Sequence, residues 1–570
     1  QALARRGYVL EQMVDLGMVT RAEADAAKAA KLKVTGMRTP NGCVSTTVAH
    51  WGFFCDFFYR WWLDQKEFGR DQAEREAKLK AGGYRIVTTM DPKVQDSANR
   101  NILAEMGTSS ADALMLAAIE PGTGYVRAMA ANRIYGLDTS KNKISSDPAK
   151  AKKGIRGTYP VTTNPLISGG GDIRGYKAGS TFKMFTMLAA LEKGFPLDFN
   201  IVARSPYKSP IYIVGTNDIS VCPDKVHWCP KNANPEYMNG PRNMWTGFGR
   251  SVNTYFVPLQ EKVGADMAIA MAKRLGVKFR SSTDLEFTTK NPRYFGPFTI
   301  GVTDTVPLEL ANAYATVAAE GKYCEPMPVL EIYNNKGEKL EGVTEPRCKQ
   351  VVAKEVARAA AEAARCPIGD QGGLHKCDGG TVGSYFTNLK GKKFQSVTRA
   401  VEHPLFGKTG TADLNWTANL VISSKQLAIA ATGADPDLAE KPHQNEFPQK
   451  TNRAAVHTMR DALKGLPKID FIKPPTRLVV GKRVNVPKVE CKTVAQAKAA
   501  ITAAGFDVMI ADEPVESTCA KDLVAKTDPE GSTSKGSTII IFISNGEAPK
   551  PDPSPSPEPG GGPGGPPGGR

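Results

Sequence analysis

The sequence predicts an α+β fold, and three observations carry that reading. Two apolar runs, Ala113 to Glu120 and Tyr125 to Ala130, are joined by Pro121-Gly122-Thr123-Gly124 and read as a hairpin. Helical periodicity dominates the middle of the chain, and strand-like runs return late, at Trp416 to Ile422 and Leu427 to Thr432. Strands early, helices between and strands late imply one sheet that unites distant parts of the chain.

In order, residues 8 to 31 read as a helical pair broken at Gly17. Cys43 to Trp62 is rich in aromatic residues and reads as a surface packed on a neighbouring domain rather than a ligand site. Tyr84 to Thr89 is strand-like, and Asp91-Pro92 opens a helix with proline in its first turn. Residues 132 to 178, rich in Lys, Gly, Asn, Thr and Pro, read as long surface connections of the kind that border sites. They lead to Gly179-Ser180-Thr181-Phe182-Lys183. There Phe182, Phe185, Leu188, Ala189 and Leu191 recur at helical spacing and Gly194 supplies a C-terminal cap, so a buried helix begins near Ser180. Trp245 to Val263, which carries Ser251-Val252-Asn253, and Pro307 to Glu320 are further helical stretches. His403-Pro404-Leu405-Phe406 leads into Gly407-Lys408-Thr409-Gly410-Thr411-Ala412 ahead of the late strands, and Thr451 to Leu463 reads as a covering helix.

A length of 570 residues implies several domains, and 41% hydrophobic residues suffice for ordinary cores. From Glu547 onward the chain is almost wholly Pro, Gly, Ser and charge, and reads as a flexible tail. A net charge of +16 suits an anionic environment, but no basic-aromatic nucleic-acid module is present, so nucleic acid is not an expected partner. The ten cysteines fall mostly into near neighbours: Cys43 with Cys55, Cys222 with Cys229, Cys366 with Cys377 and Cys491 with Cys519, leaving Cys324 and Cys348. That spacing suits five disulfides and an oxidising, extracytoplasmic location. Zinc is the alternative, with His227 between Cys222 and Cys229 and His375 beside Cys377, but two cysteines and one histidine do not complete the usual four ligands. No metal or cofactor is expected. No run of eighteen apolar residues forms a membrane span, and Trp51 to Leu63 is interrupted by Asp56 and Arg60. The chain shows neither a starting Met nor a signal-peptide pattern, so export would place the targeting and anchoring segments upstream of Gln1.

Ser180 and Lys183 stand three residues apart on one helical face, a nucleophile beside a possible base, with first-turn N–H groups directed at any substrate oxygen. Ser-x-x-Lys alone is a weak signal, arising on the order of 2 times by chance in such a chain. The matches at Ser140, Ser205 and Ser532 lie in polar, proline-bearing or glycine-rich surroundings, and none opens an apolar helix.

Ser180-Thr181-Phe182-Lys183, Ser251-Val252-Asn253 and Lys408-Thr409-Gly410, in that order, resemble the three motifs of penicillin-binding proteins and serine β-lactamases. Thr88-Thr89-Met90-Asp91-Pro92, Gly175-Tyr176-Lys177-Ala178-Gly179 and Leu310-Ala311-Asn312-Ala313-Tyr314-Ala315 look like the transpeptidase part of bifunctional, class A penicillin-binding proteins of a Gram-positive or actinobacterial surface. Val486-Pro487, Ala495 to Ala500, Ala504-Gly505-Phe506, Asp528-Pro529-Glu530-Gly531 and Gly536 to Ile541 resemble a PASTA module, a helix on a small sheet associated with cell-wall binding. The resemblance implies a division into residues 1–83, a linker and remnant beside an absent glycosyltransferase domain; 84–470, an antiparallel sheet flanked by helices that forms the transpeptidase; 471–546, the PASTA module; and 547–570, the tail.

By the same resemblance, Ser180 is the acylated nucleophile and Lys183 takes its proton, with Lys408 as a second positive charge that favours a neutral Lys183. Ser251 relays a proton to the leaving amine, and Asn253 holds the substrate amide. Thr409 and Thr411 meet the terminal carboxylate with Lys408, the N–H groups of Ser180 and Thr411 form an oxyanion hole, and Gly410 permits close approach of substrate to the strand. The implied donor is the D-Ala-D-Ala end of a peptidoglycan stem peptide, β-lactams would mimic it, and the PASTA module would hold a wall polymer. A carboxypeptidase or β-lactamase, or a sensor that acylates without turnover, shares the same motifs. One departure from the family is Trp416-Thr417-Ala418-Asn419 in place of an aromatic Trp-Phe-x-Gly segment after Thr411.

Overall fold

A computed structural model describes residues 2–31, 42–370, 372–386 and 394–549. The expected tail from residue 550 on lies outside the described residues.

The helical pair is present as α1 (Ala2–Asp15) and α2 (Arg21–Ala29). It starts earlier than expected because Ala2 to Arg6 are helix-favouring residues that extend the first helix backward. Gly17, in the left-handed region at φ +68°, makes the turn, and Thr20 with Glu23 forms a capping box at the start of α2.

The aromatic segment forms α3 (Gly52–Asp64), most of whose aromatic residues pack inward. Trp61 and Trp62 join Phe68, Met327, Val329 and Ile332 in one cluster, and Trp62 stacks on Phe68 with ring centroids 3.5 Å apart. Phe53 and Phe54 belong to the main core instead. The cluster lies beside a two-stranded ribbon of β1 (Arg85–Thr88) and a strand at Val329–Tyr333. Asp91 caps the helix that follows, α4 (Pro92–Glu105), by accepting from the N–H groups of Lys93 and Val94.

The central sheet is built from β2 (Ala113–Ile119), β3 (Val126–Ala131), β4 (Phe406–Thr411), β5 (Thr417–Ser423) and β6 (Ala428–Ala434). Every pairing is antiparallel and the order is β4-β5-β6-β2-β3. All seven residues of β2 are buried, and alternation sorts them by face. Met115, Ala117 and Ile119 join the larger core, built on helices at Lys183–Glu192, Asn253–Val263 and Pro307–Ala318. Leu114, Leu116 and Ala118 join the smaller one, under α4 and the helix at Phe447–Leu463. Burial on both faces explains why β2 is an apolar run without a polar face.

The C-terminal module forms a separate small core around Val489, Ala497, Ile501, Phe506, Ile539 and Ile541. Its helix, Val494–Ala503, begins with a capping box of Thr493 and Gln496, and strand Thr538–Ile543 pairs in parallel with Asp507–Ile510 and antiparallel with Val524–Asp528. All five cysteine pairs are disulfide-bonded as the spacing suggested, including Cys324–Cys348. No helix of the described residues is long and apolar enough to cross a membrane.

The backbone ahead of Ser180 is threaded between two other segments. Gly301 has φ +79°, and a Cβ there would lie 1.9 Å from the carbonyl oxygen of Gly179. Gly301→Ala should therefore lower stability by about 2 kcal/mol or more, read as a fall in the thermal unfolding midpoint; an unchanged midpoint would contradict the close packing.

Candidate active site

Ser180 does not sit in the α-helix proper. Gly179–Phe182 forms a 3-10 turn and the α-helix runs from Lys183 to Glu192, buried in the core at every residue except the last. The tighter turn follows from how the segment is held. Ala178 N–H donates to Thr303 O at 3.1 Å and Gly179 N–H to Gly301 O at 2.9 Å. From the sheet, Thr417 Oγ1 and Asn419 Nδ2 donate to Lys177 O at 2.6 and 3.0 Å, and from the helix at Pro307–Ala318 Tyr314 Oη donates to Thr181 O at 3.0 Å. Edge strand β4 completes the clamp: a Cβ on Gly410 would lie 2.3 Å from Ala178 O, and one on Gly179 2.5 Å from Thr411 N. Gly410 thus lets the Ser180 turn approach the strand, where the sequence leads us to expect room for a substrate.

Ser251 lies in a break between two helices, Met244–Gly249 and Asn253–Val263. The continuous helical stretch read from the sequence is interrupted because Ser251 takes φ +61°, in the left-handed region that costs a side-chain-bearing residue energy. The break aims both the hydroxyl and the carbonyl of Ser251 at Lys183.

Lys183 Nζ lies 3.0 Å from Ser180 Oγ, 2.6 Å from Ser251 O, 3.2 Å from Ser251 Oγ and 2.6 Å from Asn253 Oδ1. Lys408 Nζ reaches Ser251 Oγ at 2.8 Å from the other side and also donates to Thr409 O at 2.9 Å. Both lysines are fully buried, while Ser180, Ser251 and Asn253 are partly open. Burial pushes Lys183 well below the ordinary lysine range, and the charge of Lys408 pushes it further. Burial alone brings Lys408 down to about 7.

The structure therefore gathers Ser180, Lys183, Ser251, Asn253 and Lys408 into one connected network, with Thr409, Gly410 and Thr411 along its border. A serine hydroxyl in contact with an amine that is readily deprotonated is an arrangement suited to nucleophilic attack. Asn253 is more occupied than expected: its Oδ1 holds Lys183 and its Nδ2 donates to Lys231 O at 2.8 Å. Thr381, absent from the sequence reading, brings its hydroxyl within 2.7 Å of Thr409 Oγ1. No periodicity or nearby motif pointed to it, since the contact joins a loop to a strand 28 residues later. Past Thr411 the chain turns through Leu414 and Asn415, both at positive φ, so the segment that departs from the family pattern is a compact turn leading into β5.

A five-stranded antiparallel sheet with helices on both faces thus carries a serine-lysine turn pinned to its edge strand. The penicillin binding protein transpeptidase domain family matches residues 115–417, more than half of the chain, and the chain belongs to that family. The PASTA domain family matches residues 484–545. Penicillin-binding protein 1A of Mycolicibacterium smegmatis is 26% identical over 381 residues, covering 63% of this chain and 40% of the relative. Penicillin-binding protein 2D of Bacillus subtilis is 25% identical over 417 residues, covering 71% and 50%. The crystal structure of penicillin-binding protein 1A from Haemophilus influenzae superposes with a TM-score of 0.53 at 15% identity, covering 96% of this chain and 82% of that one, a likeness of fold. The chain spans half or less of the length of these curated relatives.

An amine accepts a proton only when neutral, that is, above its pKa. Acylation of Ser180 by a serine-directed reagent should therefore rise with pH through an apparent pKa well below that of an ordinary lysine. Lys408→Ala removes a charge that depresses Lys183 and should move this rise to higher pH; a pH–rate profile in which the variant's midpoint stays put or moves down would contradict the coupling.

Proposed function

We propose that the chain is the D,D-transpeptidase portion of a class A penicillin-binding protein, which cross-links peptidoglycan stem peptides through an acyl-enzyme on Ser180. The observation that carries this reading is the contact set of Lys183. Ser251 O and Asn253 Oδ1 can only accept, so the two shortest contacts of Lys183 Nζ take both N–H groups of a neutral amine. Its lone pair is then left for the third neighbour, the Ser180 hydroxyl 3.0 Å away.

In the proposed reaction Lys183 takes the Ser180 proton as Oγ attacks the carbonyl carbon of the penultimate D-Ala. The oxyanion is met by the N–H groups of Ser180 and Thr411, with no reorganisation needed at the moment of attack. Collapse of the tetrahedral adduct breaks the C–N bond, and Ser251 passes a proton to the departing D-Ala amine, drawing on the proton held by Lys183 or Lys408. The amine of a second stem peptide then attacks the ester, returns Ser180 to its hydroxyl form and leaves a new amide. Thr409, Thr411 and Lys408 hold the donor's terminal carboxylate. Asn253 keeps Lys183 in place, and the second N–H of its Nδ2 is available for the donor's amide carbonyl. A β-lactam enters by the same first step, but its leaving group stays tethered to the acyl chain.

We further propose that residues 84–470 form the catalytic unit, 471–546 a wall-facing PASTA unit and 1–83 a linker to an upstream glycosyltransferase domain with its membrane anchor, on the wall side of the membrane. Five disulfides, a net charge of +16 and the likeness to a penicillin-binding protein 1A of which this chain spans 40% support that placement.

Labelled penicillin should modify Ser180 alone, as read by peptide mapping. A stem-peptide thioester should be consumed faster in the presence of an amine acceptor, and Ser180→Ala should abolish both reactions. Label on another residue, or turnover retained by the variant, would reject the mechanism; consumption indifferent to the amine would favour a hydrolase.

A further inference from the structure

The segment after the Cys366–Cys377 disulfide crosses from one wall of the site to the other. At its start Asp378 binds two arginines. Arg242 Nη1 donates to Oδ2 at 3.0 Å, Arg250 Nε donates to Oδ1 at 3.1 Å, and Arg250 Nη2 donates to the Asp378 carbonyl at 2.8 Å. Arg250 is itself fixed, donating to Tyr237 O at 2.6 Å with its guanidinium 4.3 Å from the Tyr237 ring centroid, and it immediately precedes Ser251. Next, Gly379 and Gly249 meet backbone to backbone: a Cβ on Gly249 would lie 2.7 Å from Gly379 O. At the far end Val382 is buried and its N–H donates to Pro367 O at 2.8 Å. Between these anchors Thr381 is exposed, with its hydroxyl 2.7 Å from that of Thr409.

Two hydroxyls that share one hydrogen bond use one of their two protons on each other. The second proton, on whichever oxygen accepts, has no partner within the pair and points away from it. A carboxylate accepts that free proton, and the other as well once the Thr381–Thr409 bond is exchanged for it, and the negative charge nearest Thr381 in sequence, Asp378, is already neutralised by Arg242 and Arg250. The fully buried Lys408 lies one residue from Thr409. We propose that Thr381 is a further substrate-binding residue, sharing the terminal carboxylate of the donor peptide with Thr409, and that residues 378–382 form a strap that holds it in register with Ser251 on one side and β4 on the other. The inference rests on the transpeptidase reading given above.

The test compares the full chain with Thr381→Val, which keeps shape and loses the hydroxyl, and Thr381→Ser, which restores it. Each is assayed with a thioester donor whose leaving group ends in a carboxylate, and with the corresponding carboxamide. Thr381→Val should lose about 10-fold or more in kcat/KM on the carboxylate donor, as expected for a hydrogen bond to a charged group, and clearly less on the carboxamide. Thr381→Ser should recover most of the loss. No loss in Thr381→Val, an equal loss on both donors, or no recovery in Thr381→Ser would overturn the proposal. Labelling of all three forms by penicillin at Ser180 separates the two readings: unlabelled wild-type protein defeats the transpeptidase assignment, whereas normal labelling with unchanged donor preference defeats only the role of Thr381.

Discussion

Two buried lysines that meet at Ser251 set the terms for everything else in this domain. Removing an ammonium from water is costly, and the second makes the first costlier, so the pair exists only where the surrounding structure fixes it firmly. The protein does so with groups that can only accept, Ser251 O, Asn253 Oδ1 and Thr409 O, and with the aromatic rings of Phe256 and Phe248, whose centroids lie 5.9 and 5.6 Å from the two Nζ atoms. The left-handed turn at Ser251 belongs to the same requirement, since a continuous helix would carry its carbonyl away along the axis. Stability is given up locally in exchange for an amine that is easily neutral, which is the usual relation between strained sites and reactivity.

That arrangement needs backbones closer together than side chains allow. Gly179, Gly301 and Gly410 meet around the Ser180 turn, each at a distance where a Cβ would overlap a backbone atom of a neighbour. Tyr314, Thr417 and Asn419 then hold the turn's carbonyls from the side. The serine is thus positioned chiefly by backbone contact with the edge strand and with the 301–303 segment. Its own helix supplies the buried mass behind it.

Much of this was legible in the sequence because it depends on short patterns. The hairpin at 113–130, the late strands, the apolar face behind Ser180 and the five cysteine pairs all follow from periodicity, turn residues and spacing. What was not legible depends on contacts between distant segments. Nothing in Trp245 to Val263 announces that Ser251 leaves the helix, because its apolar pattern continues on both sides of the break. The 3-10 geometry at Ser180 is imposed by Gly301 and Gly410, and the double engagement of Asn253 depends on the carbonyl of Lys231. Thr381 carries no motif, and only the fold brings it to Thr409.

The strand order has a consequence for the protein's history before it ever meets a substrate. β4, the edge strand with Lys408, reaches β2 only through β5 and β6, so the sheet joins residues 113–131 to residues 406–434. Pairing across so long a separation is slow, because the loop must close before any contact rewards it. A chain threaded from its N-terminus delivers Ser180 first and Ser251 next, and both remain without Lys408 until most of the domain has followed. Under the proposed mechanism the serine gains Lys408 beside its proton acceptor only when the sheet closes, so an unfinished chain carries a hydroxyl that is not yet activated.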